Sequence, residues 1–110
     1  MRTITRASDI DRLFKEARRV SHPALLVLAL PTQERDGGDG RVLFVAGKRL
    51  GGAVMRNRCK RVLREAARRA GAPWPGLDVA LVAREATASA PAALLDEGLA
   101  RALVVLRSPS

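Results

Sequence analysis

Positive charge is concentrated in one short stretch of the chain. Residues 47–69 read GKRLGGAVMRNRCKRVLREAARR and hold nine of the twenty Lys and Arg residues but one acid, Glu65. Cations gathered in this way form an electrostatic footprint, and its commonest partner is a phosphate backbone. Seventeen of the twenty are Arg, whose planar guanidinium suits bidentate phosphate contacts. The stretch therefore indicates binding to a polyanion.

The same stretch predicts an amphipathic helix over about 52–70, with Gly71 at the C′ position. At about 100° per residue, one face is apolar and comprises Met55, Cys59, Val62, Leu63, Ala66 and Ala70. The opposite face carries Arg56, Asn57, Lys60, Arg61, Arg64 and Arg68, with Arg58 and Arg69 at the boundary. Solvated faces usually mix signs, and like charges four residues apart cost roughly a few tenths of a kcal/mol per pair. The pattern favours a polyanionic partner over simple solvation.

Asn57 is the one uncharged polar residue on this face. Its amide both donates and accepts hydrogen bonds, unlike the side chains of its neighbours. It therefore predicts a specific contact to a base, a 2′-hydroxyl or a metal-bound water. Charge alone favours nucleic acid but does not distinguish RNA from DNA.

Groups suited to catalysis by the protein itself do not form a set. The single histidine, His22, precedes a predicted strand, and the basic helix contains no acid besides Glu65. Neither a general acid–base pair nor a carboxylate metal site emerges. The single cysteine, Cys59, excludes an internal disulfide and a CxxC metal site, and the helical pattern buries it. We expect no catalytic residue and no metal bound by the protein alone.

The remaining sequence predicts the scaffold. A first helix over ASDIDRLFKEARRV, capped by Ser8, presents an apolar stripe of Ile10, Leu13, Phe14 and Ala17. Strands are predicted at 24–30, 41–47 and 77–83, with a polar loop at 31–40 and Trp74 over the edge of the core. A last helix is predicted to be capped by Ser89, with Pro91 in its first turn and a bend or fraying at Gly98.

This order of elements predicts an α/β sandwich in which helices pack on one small sheet. The 110 residues suffice for one domain, and no internal repeat or linker interrupts them. No apolar stretch approaches the roughly 20 residues that span a bilayer, and no signal peptide is evident, so we expect a soluble, cytoplasmic protein without a membrane partner.

One composite motif is highly specific. It consists of Arg41–Val42, Lys48–Arg49, Gly51, Ala53–Val54, Arg56–Asn57–Arg58, Lys60–Arg61 and Arg64–Glu65–Ala66. With this motif the chain resembles the bacterial ribonuclease P protein subunit, and the likeness extends over nearly the whole sequence. The resemblance implies an α+β fold of order αβββαβα, with a small, mostly antiparallel four-stranded sheet and three helices. It also implies a left-handed crossover around the basic helix, against the right-handed rule that holds in about 98% of cases.

The function implied by the resemblance is that of a single RNA-binding domain, residues 1–110, in the ribonuclease P holoenzyme. This endoribonuclease removes the 5′ leader of precursor tRNA with Mg²⁺, and the partner RNA carries the chemistry and holds most of the metal. One protein per catalytic RNA is implied. The surface for that RNA would comprise Lys48, Arg49, Arg56, Asn57, Arg58, Lys60, Arg61, Arg64 and Arg68. A cleft for the leader would comprise Ile10, Phe14, Leu26 and Leu28, with Arg84 at its rim.

Two departures from the family pattern stand out. Ile10 and Leu28 occupy cleft positions that often hold aromatic residues in the family, and Gly47 replaces a serine before the two basic residues of the turn. Base stacking on an aromatic contributes roughly 1–3 kcal/mol per base, so leader binding here would be weaker or would depend more on the backbone.

Three other functions are compatible with parts of the sequence. A free-standing ribonuclease would need the acid–base pair that is missing. A ribosomal-type RNA-binding protein fits the composition equally well, and only the motif argues against it. A DNA-binding helix-turn-helix would need a short helix where 41–47 predicts a strand.

Overall fold

The computed structural model describes residues 2–33 and 39–108, and within them the chain forms three α-helices and four strands. The elements are α1 (Ala7–Glu16), β1 (Arg18–His22), β2 (Leu25–Pro31), β3 (Arg41–Val45), α2 (Ala53–Arg69), β4 (Leu77–Ala83) and α3 (Ala92–Arg107), with a 3-10 turn at Lys48–Leu50. The sheet order is β1-β2-β4-β3; β1/β2 and β2/β4 are antiparallel, and β3/β4 is parallel. The predicted α+β order αβββαβα is confirmed. The handedness of the β3–α2–β4 crossover stays a prediction.

Two predictions at the start of the chain are wrong. The first helix ends at Glu16, and Arg18–His22 form strand β1, which pairs with β2 from Arg18↔Ala29 to His22↔Leu25. The apolar stripe that predicts the helix ends at Ala17. Beyond that residue, pairing with β2 determines the conformation of the chain. Ser8 does not cap α1, since the helix begins at Ala7 and no side chain caps it.

The last helix also begins differently from the prediction. Pro91, not Ser89, occupies the N-cap position, and the Ser89 hydroxyl donates instead to the Ala86 carbonyl at 3.4 Å. Part of the predicted polar loop, residues 34–38, lies outside the described residues.

The main core lies between the sheet and the helices α2 and α3. Leu25, Val27 and Ala29 of β2 alternate toward it, because successive side chains of a strand point to opposite faces. Buried residues of α2 on this side are Cys59, Leu63, Ala66 and Ala67. Trp74 is buried in the same core, and its indole N–H donates to the Ala70 carbonyl at 3.2 Å. The predicted apolar face of α2 is wrong at Met55, which borders an open depression and is 40% exposed.

Gly98 lets α3 approach β1 closely. A Cβ atom at this position would lie 2.6 Å from the His22 Nδ1 atom, well inside contact distance. The helix runs without interruption from Ala92 to Arg107, so the predicted bend or fraying is wrong. Glycine is needed here for packing, because the imidazole ring of His22 occupies the space that a Cβ atom would fill.

The second core lies under α1 on the other face of the sheet. Its buried members are Ile4, Leu13, Leu28 and Ala80. Both ends of α1 are tied to one end of the sheet: Ala17 leads directly into β1, and Asp9 reaches Arg41 at the start of β3. The helix therefore covers the end of this face where β2 finishes and β4 begins, and leaves the opposite end open.

A buried ionic cluster fixes α1 to the sheet. The Arg41 guanidinium donates to the Asp78 carboxylate at 2.7 and 3.3 Å and to Asp9 of α1 at 3.2 Å. All three side chains are nearly inaccessible, and Thr32 donates a further hydrogen bond to Asp78 at 3.1 Å. Buried charges require such pairing, because desolvation of an unpaired ion is costly.

No helix in the described part of the chain has the length and apolar character needed to cross a membrane.

Candidate nucleic-acid interface

The basic helix α2 is delimited by glycines in the left-handed region. Gly51, with φ 128°, turns the chain from the 3-10 segment into the helix, and Gly71, with φ 86°, ends it as predicted. The helix has 17 residues, which corresponds to a length of roughly 25 Å. Its buried residues hold it to the sheet, so the charged side forms a rigid outward surface.

The predicted RNA-contacting residues all lie at or near the surface. Exposed members are Lys48, Arg49, Asn57, Arg58, Arg61, Arg64 and Arg68, while Arg56 and Lys60 are half-buried. Within residues 2–33 and 39–108, no carboxylate lies within 4.0 Å of a cationic group of this set. Arg69 differs, since it pairs with Asp96 of α3 at 2.9 Å and so contributes to helix packing. We call the nine predicted residues the basic face.

Part of the basic face forms an open depression. Its volume is about 630 Å³, and it is lined by Val54, Asn57, Arg58, Arg61 and Arg64. Val54 is 86% exposed, which gives this charged surface one apolar contact point. The structure thus places the Asn57 amide beside three guanidinium groups and a methyl surface, a combination suited to a nucleotide.

One side of the basic face borders the edge strand β3. The Arg64 guanidinium lies over the Phe44 ring, 5.3 Å from its centroid, in a cation–π contact. Arg56 and Lys60 precede Arg64 at four-residue intervals and therefore lie along the same side of α2. The buried Nε atom of Arg56 has no hydrogen-bond partner among the described residues.

The predicted leader cleft is the open end of the sheet face beside α1. Ile10 and Leu26 are half-buried, and Phe14 is 38% exposed. Leu28 is an exception, because its side chain is fully buried beneath α1 and is not available to a ligand in this structure. The reason is positional: Leu26 lies two residues nearer the end that α1 leaves uncovered.

Sequence reasoning missed polar residues on this open face. Arg19 and Ser21 lie opposite Leu28 and Leu26 in the β1/β2 register, so they point to the α1 side of the sheet. Arg19 was missed because the first helix was predicted to run to Val20, and Ser21 because it lies between that helix and the strand predicted from residue 24. Exposed and half-buried residues alternate along RRVSH only in the folded chain, and no local sequence signal marks this strand.

Arg84 lies at the rim of the same face. It is half-buried, and its guanidinium Nη2 donates to the Ser21 hydroxyl. The main chain at Arg84 is fixed by Thr87, whose hydroxyl accepts from the Arg84 N–H at 2.8 Å and donates to the Ala24 carbonyl at 2.6 Å. This arrangement holds Arg84 and Ser21 together across β2.

Metal ligands are not grouped in the described part of the chain. Among residues 2–33 and 39–108, no three His, Cys, Asp or Glu side chains come together in a way that could hold an ion. The Asp9 and Asp78 carboxylates are engaged by Arg41, which satisfies their charge. The donor groups of these described residues do not form a Mg²⁺ site.

The fold and the basic face together define a small α+β nucleic-acid-binding protein that presents an arginine-rich helix on a mixed sheet. A family model described as Ribonuclease P matches residues 1–107. The chain belongs to the ribonuclease P protein family. It is a subunit of an endoribonuclease holoenzyme that, with the ribonuclease P RNA, removes the 5′ leader of precursor tRNA.

Relatives in sequence and structure agree with this assignment. The chain is 42% identical to the ribonuclease P protein component of Ruegeria pomeroyi, over 84% of this chain and 77% of the relative. It is 32% identical to that of Gluconacetobacter diazotrophicus, over 91% and 86% of the two chains.

Solved structures agree with the fold. The RNase P protein of Staphylococcus aureus superposes with a TM-score of 0.78 at 21% identity, covering 97% of this chain and 96% of that one. The protein from Thermotoga maritima gives a TM-score of 0.74 at 24% identity, covering 100% and 99%. Family membership sets aside the ribosomal-type and helix-turn-helix alternatives.

Proposed function

We propose that the protein binds ribonuclease P RNA through the basic face and the leader of precursor tRNA through the cleft beside α1. The observation that carries the first part is the set of eight cations in Lys48–Arg68 with no acidic partner among the described residues. Neutralising phosphates would release condensed counterions, which makes such binding favourable and salt-dependent.

The chain acts in this proposal as one RNA-binding unit, with one protein per RNA. Arg guanidinium groups on the face contact phosphates, while Asn57 makes a polar contact at the depression. RNA holds the Mg²⁺ needed for hydrolysis in this proposal, since no three His, Cys, Asp or Glu side chains among residues 2–33 and 39–108 could hold an ion. The RNA therefore carries the chemistry, and the protein positions the substrate.

A single-residue comparison tests the basic face. Arg64→Ala should weaken binding to ribonuclease P RNA and lower the slope of log affinity against log salt by about 1, because one phosphate contact is lost. The matched control is Arg101→Ala, which removes an exposed arginine of α3 that already pairs with Glu97 at 2.9 Å. Equal slopes for the two variants would mean that Arg64 is only solvated.

Asn57 requires a separate measurement because it carries no charge. Asn57→Ala should weaken RNA binding with little change in the salt slope, since a specific hydrogen bond is lost. Binding of this variant with wild-type affinity would contradict the role given to Asn57.

The leader cleft is tested by substrate comparison. The holoenzyme should bind precursor tRNA more tightly than mature tRNA, and the difference should shrink when ribonuclease P RNA acts without the protein. An equal preference with and without protein would refute the cleft assignment.

A further inference from the structure

Strand β1 forms an open edge of the sheet. The strand order is β1-β2-β4-β3, so β1 pairs on one side only, with β2. The other edge is partly closed, because the Ile4 N–H donates to the Val42 carbonyl at 3.0 Å and the Val42 N–H donates to the Arg2 carbonyl at 2.9 Å. Among residues 2–33 and 39–108, no backbone group hydrogen-bonds to the outer side of β1. Such an edge is a template for pairing with another chain.

The outer side of β1 presents main-chain groups of Arg19 and Ser21. A two-residue turn joins β1 to β2, so His22 and Leu25 on either side of it form a hydrogen-bonded pair. Bonded pairs recur at every second residue, which directs the N–H and C=O groups of Arg19 and Ser21 away from β2. Phosphate oxygens only accept hydrogen bonds, whereas a polypeptide main chain offers both donors and acceptors. The edge therefore matches a peptide better than a nucleic-acid backbone.

Both ends of β1 are fixed. At one end the His22 Nδ1 atom accepts a hydrogen bond from the Ala24 N–H at 3.1 Å. At the other end the Arg18 guanidinium donates to the Ser108 carbonyl at 2.7 Å. An edge that is already ordered loses little conformational freedom when a further strand binds to it.

Helix α3 adds an apolar ledge beside this edge. The helix runs along β1, from Gly98 beside His22 to its C-terminal turn beside Arg18. Val105 lies two turns after Gly98 on the same side of α3, and it is 47% exposed. Val20 points to the α3 side of β1 and is half-buried. An added strand would direct every second side chain toward these two valines.

The charge of the edge selects the partner. Arg18 and Arg19 are exposed, and no carboxylate lies within 4.0 Å of either guanidinium among residues 2–33 and 39–108. The strand RRVSH contains no acid. Pairing with β1 of a second copy would gather two arginines from each copy in one short ladder, and like charges across a ladder are destabilising. An acidic strand would instead be attracted.

We propose that the outer edge of β1 binds an extended segment of a partner protein, in which apolar residues alternate with Asp or Glu, as an additional strand of the sheet. The apolar side chains would lie on the α3 side and the acidic ones beside Arg19. This inference goes beyond the proposed RNA contacts. Since β1 and β3 lie three strand spacings apart, roughly 14 Å, the partner could bind while RNA occupies the basic face.

A synthetic peptide tests the edge. The probe is fluorescently labelled acetyl-EVEVEVE-amide, and the protein is the full chain with Arg58, Arg61 and Arg64 changed to Ala, so that the probe does not report on the basic face. Saturable binding with a Kd below about 1 mM is expected from fluorescence anisotropy. The neutral peptide with Gln in place of Glu should bind at least about fivefold more weakly, because it lacks the charges that pair with arginine.

Two substitutions at one position separate charge from main-chain pairing. Arg19→Gln should weaken binding about two- to fivefold, as for an exposed ion pair. Arg19→Pro also removes the outward N–H and should weaken binding about two- to tenfold further, the value of one hydrogen bond. Proline is tolerated on an edge where its nitrogen faces solvent. Arg6→Gln, at the start of α1, removes the same charge elsewhere and should leave the affinity unchanged.

Amide hydrogen exchange locates the bound peptide without any substitution at the edge. Saturating peptide should slow exchange at Arg19 and Ser21, whose N–H groups become hydrogen-bonded. Absence of saturable binding, or binding without protection at these two amides, would overturn the proposal. Equal affinities of Arg19→Gln and Arg19→Pro would refute main-chain pairing. A concentration-dependent dimer that Arg19→Pro abolishes would assign the edge to a second copy. None of these measurements needs RNA, so the proposed RNA contacts stand or fall separately.

Discussion

Replacing Arg41 with Met should lower the free energy of unfolding by about 3–5 kcal/mol, the cost of breaking a buried ion pair by removing one partner. Arg41 is 8% exposed and donates to two carboxylates, Asp78 at 2.7 Å and Asp9 at 3.2 Å. Methionine fills much of the volume but removes the guanidinium that pairs with both carboxylates. Because a small domain is stable by only about 5–15 kcal/mol, the loss would be a large share of the total.

Urea unfolding followed by circular dichroism measures this cost, and the chain contains a matched control. Arg101→Met removes an arginine that pairs with Glu97 at a similar distance, 2.9 Å, but the side chains are 74% and 50% exposed. Exposed pairs four residues apart on a helix contribute only about 0.3–0.5 kcal/mol. Arg41→Met and Arg101→Met are the same substitution, and they differ in how deeply the replaced arginine and its partner are buried.

A rescue experiment distinguishes charge from packing. Adding Asp9→Asn and Asp78→Asn to Arg41→Met removes the two buried carboxylate charges that had paired with Arg41 and should recover part of the lost stability. The reasoning would be refuted if Arg41→Met cost no more than Arg101→Met, or if the two Asn substitutions destabilised Arg41→Met further.

Other consequences of the packing are testable by single substitutions. Gly98→Ala should cost roughly 1–3 kcal/mol in thermal or urea unfolding, because the new methyl meets His22 at 2.6 Å. In a His22→Ala background the same change should instead stabilise by up to about 1 kcal/mol, as in an open helix, and stabilisation in both backgrounds would contradict the steric argument. Phe44→Leu should weaken binding to ribonuclease P RNA about two- to fivefold, the value of an exposed cation–π contact. The effect should vanish once Arg64 is Ala, and persistence of the loss there would show that Phe44 acts independently.

The helix α2 was predictable because its signal is local. The 3.6-residue period separates its faces within the sequence itself, and Gly71 marks its end. Cys59 and Leu63 are buried as the period requires. The motif then connected this face to a family, which neither charge nor periodicity could do.

Strand β1 was not predictable from its own residues. RRVSH contains one large apolar residue and directly follows a strong helical stripe, so the helix appeared to continue. Its strand conformation comes from pairing with β2, a tertiary interaction that local propensity does not record.

The sequence also could not predict which part of the sheet face is covered by α1 and which part is open. Leu26 and Leu28 point to the same face of the sheet, yet Leu26 is half-buried and Leu28 is fully buried. The difference depends on where α1 crosses the sheet, which is fixed by the Asp9–Arg41–Asp78 cluster. These three residues come from distant segments, and no local pattern links them.

We propose that the basic face joins the protein to a catalytic RNA that performs the cleavage. The most direct test is cleavage of precursor tRNA at low Mg²⁺ by ribonuclease P RNA, with wild-type protein or with a variant in which Arg58, Arg61 and Arg64 are Ala. We predict stimulation by the wild type, none by the variant, and no cleavage by protein without RNA. Equal stimulation by the variant, or specific cleavage by the protein alone, would contradict the account.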